Sequence, residues 1–257
     1  MTAPFSPLLR SISFLTRLPV PASAFGDGSH PLGDDAWTFP LAGLVAILPS
    51  VIVLLALSSS GLSVEAVALA AIAVSIVVTG ALHEDGLADV ADGLFGHLPR
   101  ERALEVMKDS RVGTYGALAL VLSCLGRTLF LAQLVAVSPL AASLALLGLA
   151  ALGRGLMAGL WASLPPAAPG GIADRAGRPS RRTGRLASGL GMLIFAVLAW
   201  PASGFLAMLT ALVVAAATFV AFRRCLERRL GGQTGDTLGA LQQIVEAGGL
   251  LTLCCFA

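Results

Sequence analysis

Residues 64–96 read VEAVALAAIAVSIVVTGALHEDGLADVADGLFG, a long apolar run that ends abruptly in a cluster of acids. The run from about Val64 to Leu82 suits a membrane span. The part that follows packs four acids into nine residues, in a chain where only 12% of residues are charged. On a helix, Asp85, Asp89 and Asp92 stand at i, i+4 and i+7, so their carboxylates share one face, whereas Glu84 points roughly 100° away from Asp85. Like charges that close repel unless a cation lies between them, and no Lys or Arg occurs between positions 83 and 99. A divalent metal with a phosphorylated ligand answers this, because Mg²⁺ takes one or two carboxylates and completes its shell with water and phosphate oxygens. A solvated acidic helix at a membrane edge is the plainer alternative, and the flanking glycines count against it.

Composition extends the membrane reading to the whole chain. Its 257 residues are 56% hydrophobic, with a mean hydropathy of +0.85. Soluble domains average about 45–50% apolar and about 25% charged residues. The expectation is an all-α, polytopic membrane helix bundle of about seven transmembrane helices plus interfacial amphipathic helices, forming a single integral-membrane catalytic domain over 1–257. Residues 4–18 alternate Arg10 and Arg17 with apolar side chains, which suits a short helix lying at the interface. The spans run from about Phe39 to Leu57, Val64 to Leu82, Ala117 to Val137, Pro139 to Leu160, 187 to 200, 203 to 222, and Leu241 to the end. Pro/Gly/Arg-rich residues 164–185 read as a mobile loop. The four cysteines form no C-x-x-C pair, which argues against a zinc site or disulfide framework. Ala22-Ser23-Ala24 superficially resembles a signal-peptidase site, but Arg10 and Arg17 break the stretch before it, so the segment is read as retained.

Charge placement sets the expected topology. Apart from Arg127 and Arg154, which fall inside spans, every Lys and Arg lies before span one or in alternate connectors, and the connectors near 58–63, 137–139 and 200–203 carry none. Basic loops stay cytoplasmic. This predicts a bacterial inner-membrane protein with a cytoplasmic N-terminus, and it puts the acidic stretch and the glycine-rich connector 231–240 on the same, cytoplasmic side.

Four groups of residues are candidates for chemistry. The first is His83 with Asp85, Asp89 and Asp92: three metal ligands, and a histidine that is a base, an orienter or simply interfacial. The second is Lys108, Asp109, Ser110 and Arg111, whose cations can meet phosphate or anchor the chain at the membrane edge. The third is the run Gly231–Ala240 with Thr234, Gly235 and Asp236, where glycines allow close approach and a helix start offers free N–H groups to an anion. The fourth is Arg127, Arg154 and Glu246, ionisable groups inside spans that need partners or a function.

At these residues a resemblance emerges. His83-x-Asp85-Gly86-Leu87-Ala88-Asp89-x-x-Asp92-Gly93 resembles the signature of the cobalamin synthase family, the adenosylcobinamide-GDP ribazoletransferases. Further segments match in order: Phe14–Pro19, Phe39-Pro40-Leu41-x-Gly43, Met107-Lys108-Asp109-Ser110-Arg111-x-Gly113-Thr114-x-Gly116, Arg154-Gly155 and Gly232–Ala240. Glu84 replaces an expected apolar residue, Lys108 an Arg that is more usual there, and Gln242–Glu246 follows the closing segment only loosely. The resemblance implies condensation of adenosylcobinamide-GDP with α-ribazole, or its 5′-phosphate, releasing GMP and requiring Mg²⁺. It implies Asp85, His83 and Asp236 as catalytic, and Lys108, Asp109, Arg111, Arg154, Thr234 and Gly235 as substrate-binding.

Rival readings are a CDP-alcohol phosphotransferase, a prenyltransferase, or a small transporter with Arg127, Arg154 and Glu246 along its path. The expected partners are the corrinoid nucleotide, α-ribazole and membrane lipid, with no nucleic acid. A homo-oligomer, or association with other cobalamin-pathway enzymes, stays open.

Overall fold

The structure, a computed structural model, describes residues 5–26, 30–168 and 170–257. Expectations that touch Pro4 or loop positions 27–29 and 169 lie outside the described residues. Regular structure among the described residues is helical: α1 (Ser6–Leu15), α2 (Leu32–Asp35), α3 (Phe39–Leu57), α4 (Val64–Thr79), α5 (Leu82–Phe95), α6 (Arg100–Val106), α7 (Thr114–Val137), α8 (Pro139–Ser163), α9 (Ile172–Arg175), α10 (Arg181–Ser203), α11 (Phe205–Arg229) and α12 (Gly235–Cys254).

Five of these are long and apolar enough to cross a membrane: α3 with its lead-in α2, α7, α8, α10 and α11. A sixth is counted when α4 and α5 are taken as one bent element. That differs from the expected seven for two physical reasons. With 16 residues, α4 rises only about 24 Å at 1.5 Å per residue. In the seventh position, α12 is 20 residues long but carries Gln242, Gln243 and Glu246, buried inside the bundle, which lower its hydropathy below that of the five. Helices α10 and α11 extend beyond the expected spans because their ends carry the arginines of the basic connectors. Their turn falls at Gly204 (φ 86°), past Pro201.

The outer surface carries bare apolar side chains, with Val77 73%, Leu122 70% and Leu206 63% exposed. The centre is α8, which packs on α10 through small residues. A Cβ added at Gly155 would stand 2.7 Å from the Ala187 carbonyl oxygen, and one at Gly191 would stand 2.7 Å from that of Ala151. Close backbone approach of this kind drives helix association where lipid is the solvent.

The connectors 58–63, Ser138 and Gly204 close the pairs α3–α4, α7–α8 and α10–α11. The remaining connectors meet one another. Ala167 N donates to Gln233 O (2.8 Å) and Gln233 N to Pro165 O (2.8 Å). Arg100 donates to Leu230 O (2.8 Å) and Ala167 O (2.9 Å). The start of the 164–185 stretch is therefore pinned, which its composition does not reveal. Arg10 also departs from the interfacial pattern, since it turns inward and forks onto Asp35 at 2.6 and 2.9 Å.

What positions the acidic stretch is a sharp break. Gly80 (φ 64°) and Ala81 (φ 57°) are both left-handed, a conformation natural to glycine and costly to alanine. They turn α5 by 89° from α4. Helix α5 then lies across the first turns of α12 and α7 instead of continuing the span. Gly86 touches the backbone of Asp236, Gly239 touches that of His83, and Gly116 touches the Ala88 carbonyl.

Candidate active site

Two glycines let α5 and α12 cross closely. A Cβ at Gly86 would lie 2.6 Å from the Asp236 carbonyl oxygen, and one at Gly239 would lie 3.1 Å from His83 Cα. The acidic stretch and the glycine-rich connector therefore form one surface. Asp236 sits in the first turn of α12, whose start is tied by a reciprocal cap: Thr237 N donates to Thr234 Oγ1 (3.3 Å) and Thr234 N to Thr237 Oγ1 (2.9 Å). Thr234 Oγ1 also donates to Asp236 Oδ2 (3.2 Å).

Asp85 is exposed, and Asp89 and Asp92 are half-buried. Burial, followed by the charges of Asp236, Asp85 and Asp92, pushes the Asp89 carboxyl up to about 7. Burial also raises Asp236, opposed by its Thr234 and backbone hydrogen bonds and helped by Asp85. None of these four carboxylates has an ion-pair partner among the described residues.

Asp92 has a different occupation from its two helix-mates. Its Oδ2 accepts from Gly113 N (2.7 Å) and its Oδ1 from Gly116 N (2.8 Å), so it caps the start of α7. This also explains the glycines, since a Cβ at either would strike the Asp92 carboxylate. Accordingly, no three His, Cys, Asp or Glu side chains among the described residues make a ready metal cage. Asp85 and Asp89, with Asp236 facing them, still fit a hard cation that needs only one or two carboxylates and takes its remaining oxygens from substrate and water.

Beside Asp236 lies a cleft of about 370 Å³, lined by Lys108, Gln233, Thr234, Gly235, Asp174 and Arg175 among others. Lys108, Thr234, Gly235 and Asp236, predicted from separate parts of the sequence, meet there. Arg175 joins them. In the sequence it is one of several loop arginines, with no local signal to mark it out. Arg111 is 87% exposed and forks onto Asp109, with contacts of 2.6 and 3.0 Å. That pairing holds the Asp109 carboxyl down to about 2.

Four candidate residues, His83, Arg127, Arg154 and Glu246, turn away from the cleft. His83 is 2% exposed and packed against α12. Arg154, 3% exposed, donates to Glu246 Oε1 (3.3 Å) and to Ala150 O (3.2 Å). Glu246 also stands 3.7 Å from Arg127, whose Nη2 donates to Glu84 Oε1 (2.9 Å). Gln243, which is not among the candidates legible in the sequence, donates to the same Glu84 oxygen (3.1 Å). Arg127, Arg154, Glu84 and Glu246 thus neutralise one another inside the bundle.

The cobalamin-5-phosphate synthase family model matches residues 7–254. Curated relatives called adenosylcobinamide-GDP ribazoletransferase are similar over nearly the full length. The protein of Allorhizobium ampelinum is 44% identical over 98% of both chains. That of Rhizobium etli is 46% identical over 96% of this chain and 95% of its own. That of Brucella ovis is 42% identical over 95% of both. No solved structure matches the chain.

Proposed function

The chain belongs to the cobalamin-5-phosphate synthase family of enzymes, and from that membership we propose that it joins adenosylcobinamide-GDP to α-ribazole, or to α-ribazole 5′-phosphate, with release of GMP and dependence on Mg²⁺. The observation that carries the chemical part is the unanswered negative charge on α5 and Asp236 beside a cleft that holds Lys108 and Arg175. Asp85 and Asp89 would hold the Mg²⁺, with Asp236 opposite left free to take a proton. When bound, the ion neutralises charge on the diphosphate oxygens and the departing phosphate.

Lys108 and Arg175 orient the diphosphate from the cleft walls. Arg111, already outside on its connector, exchanges Asp109 for a phosphate oxygen as substrate enters. Asp236 takes the proton of the attacking ribose hydroxyl at Oδ1, because Oδ2 already accepts from Thr234. Its raised affinity for a proton suits a base. Asp92 keeps α5 and α7 in register. His83, closed off against α12, orders the helix crossing and moves no proton. The basic helix ends favour the cytoplasmic face of a bacterial inner membrane, which supports a cleft on the nucleotide-rich side.

The test is GMP release from adenosylcobinamide-GDP and α-ribazole by purified protein, with and without Mg²⁺. Turnover that vanishes on chelation and returns with Mg²⁺ supports the reading. Turnover unchanged by chelation overturns the metal role, and an absence of GMP overturns the reaction.

A further inference from the structure

A groove of about 880 Å³ opens between α8, α10 and α11 and shares no lining residue with the cleft at Asp236. Helices α8 and α10 are drawn together by Gly155, Gly191, Gly159 and Gly184, where a Cβ at the last two would strike Ser188 and Ala162, while Gly189 leaves open space on the groove wall. Its floor is apolar, with Leu156, Met192, Ala216 and Phe219. Its hydroxyls are spent on backbone carbonyls: Ser188 donates across to Gly155 O on α8 (3.2 Å) and Ser163 to Leu160 O of its own helix (3.0 Å).

One end of the groove carries Arg181, Arg185 and Arg223, and none of the lining residues is acidic. Arg181 and Arg185 are exposed and make no ion pair among the described residues, and Arg223 reaches only Glu227, at 3.5 Å. The same helices present Leu186 (56% exposed), Leu193 (60%) and Val213 (60%) outward, so whatever enters comes from the hydrocarbon phase. An occupant must therefore combine a long apolar body with an anion at the helix ends. A zwitterionic headgroup would bring an ammonium against three guanidinium groups. We propose that this groove is a specific site for one acidic glycerophospholipid, with an acyl chain over Met192 and Phe219 and its phosphodiester held by Arg181, Arg185 and Arg223.

The test is native mass spectrometry of the full-length protein in detergent, titrated with phosphatidylglycerol or phosphatidylcholine. One phosphatidylglycerol per protein is expected, with about tenfold preference over phosphatidylcholine. R181Q/R185Q/R223Q should lower that affinity by about tenfold or more, while R182Q/R224Q/R228Q, the same charge change outside the groove, should leave it within about twofold. Ala216→Phe fills the groove with every arginine intact and should weaken binding by about fivefold. Equal losses in the two triple variants, or equal binding of phosphatidylcholine, would mean diffuse attraction and overturn the site. Displacement of the lipid by inorganic phosphate or by adenosylcobinamide-GDP would also overturn it. Retention of the lipid against both supports it.

Discussion

Glu84 and Asp85 are neighbours on α5, and their surroundings are opposite. Glu84 is 5% exposed and answered by Arg127 and Gln243 from two other helices. Asp85 faces outward with Asp89 and Asp236 near it and, among the described residues, no cation paired with it. A buried charge is tolerated only when paired and hydrogen-bonded. The inner group meets that condition within the protein, so its charges hold helices in place. The outer group has no such partner among the described residues, and under the proposed function its charges would meet a cation that arrives with the substrate. A step of about 100° along one helix thus separates acids paired within the protein from acids that are not.

The largest expected effect comes from Asp85→Asn. It should lower turnover by about 10⁴-fold, near 5.4 kcal/mol on the barrier, with the melting temperature in detergent unchanged. Retained activity would dissolve the contrast between the two groups. Glu84→Ala should act the other way, costing about 3–5 kcal/mol of stability by stranding Arg127. Thermal unfolding reads this, and the E84A/R127L double variant should recover part of the loss. Asp92→Asn removes charge from a helix start and should cost about 1 kcal/mol of stability with only about a tenfold loss of turnover. A loss as deep as that of Asp85→Asn would return Asp92 to the ligand set.

A smaller effect is expected on pH dependence. Asp89 binds its proton more tightly when folded, at about 7 against 3.8. Between those values the unfolded chain has lost the proton and the folded one keeps it, so Asp89's contribution to stability falls as pH rises and levels off above about 7. Compared with Asp89→Asn, the metal-free wild type should lose melting temperature across that window, and Mg²⁺ should restore it above pH 7. Equal slopes would show that Asp89 is not crowded by its neighbours. The smallest effect is expected for Arg111→Ala, which should leave the melting temperature unaltered, since the Asp109 pair is exposed, while raising KM for the diphosphate substrate.

Much of the site was legible in the chain because it is local or sits at helix starts. The 85/89/92 spacing and the glycines of 231–240 are readable one segment at a time, and the alternation of basic and bare connectors brought those two segments to one end. Asp92 shows the limit. Its spacing promised a third ligand, but its capping of α7 depends on where Gly113 and Gly116 arrive in space. The seven-span expectation met the same limit at Gly80 and Ala81, because hydropathy windows do not register two left-handed residues that turn a helix by 89°.

Hydropathy and helical periodicity act over a few turns, so membrane class, helical architecture and the acidic face follow from composition and spacing. Which charge meets which partner depends on side chains far apart in the chain. Glu84 and Arg127 stand 43 positions apart, and Glu84 and Gln243 stand 159 apart. Pairing therefore had to wait for the helices to pack, and packing is what sends Arg154 and His83 inward and brings Arg175 to the cleft.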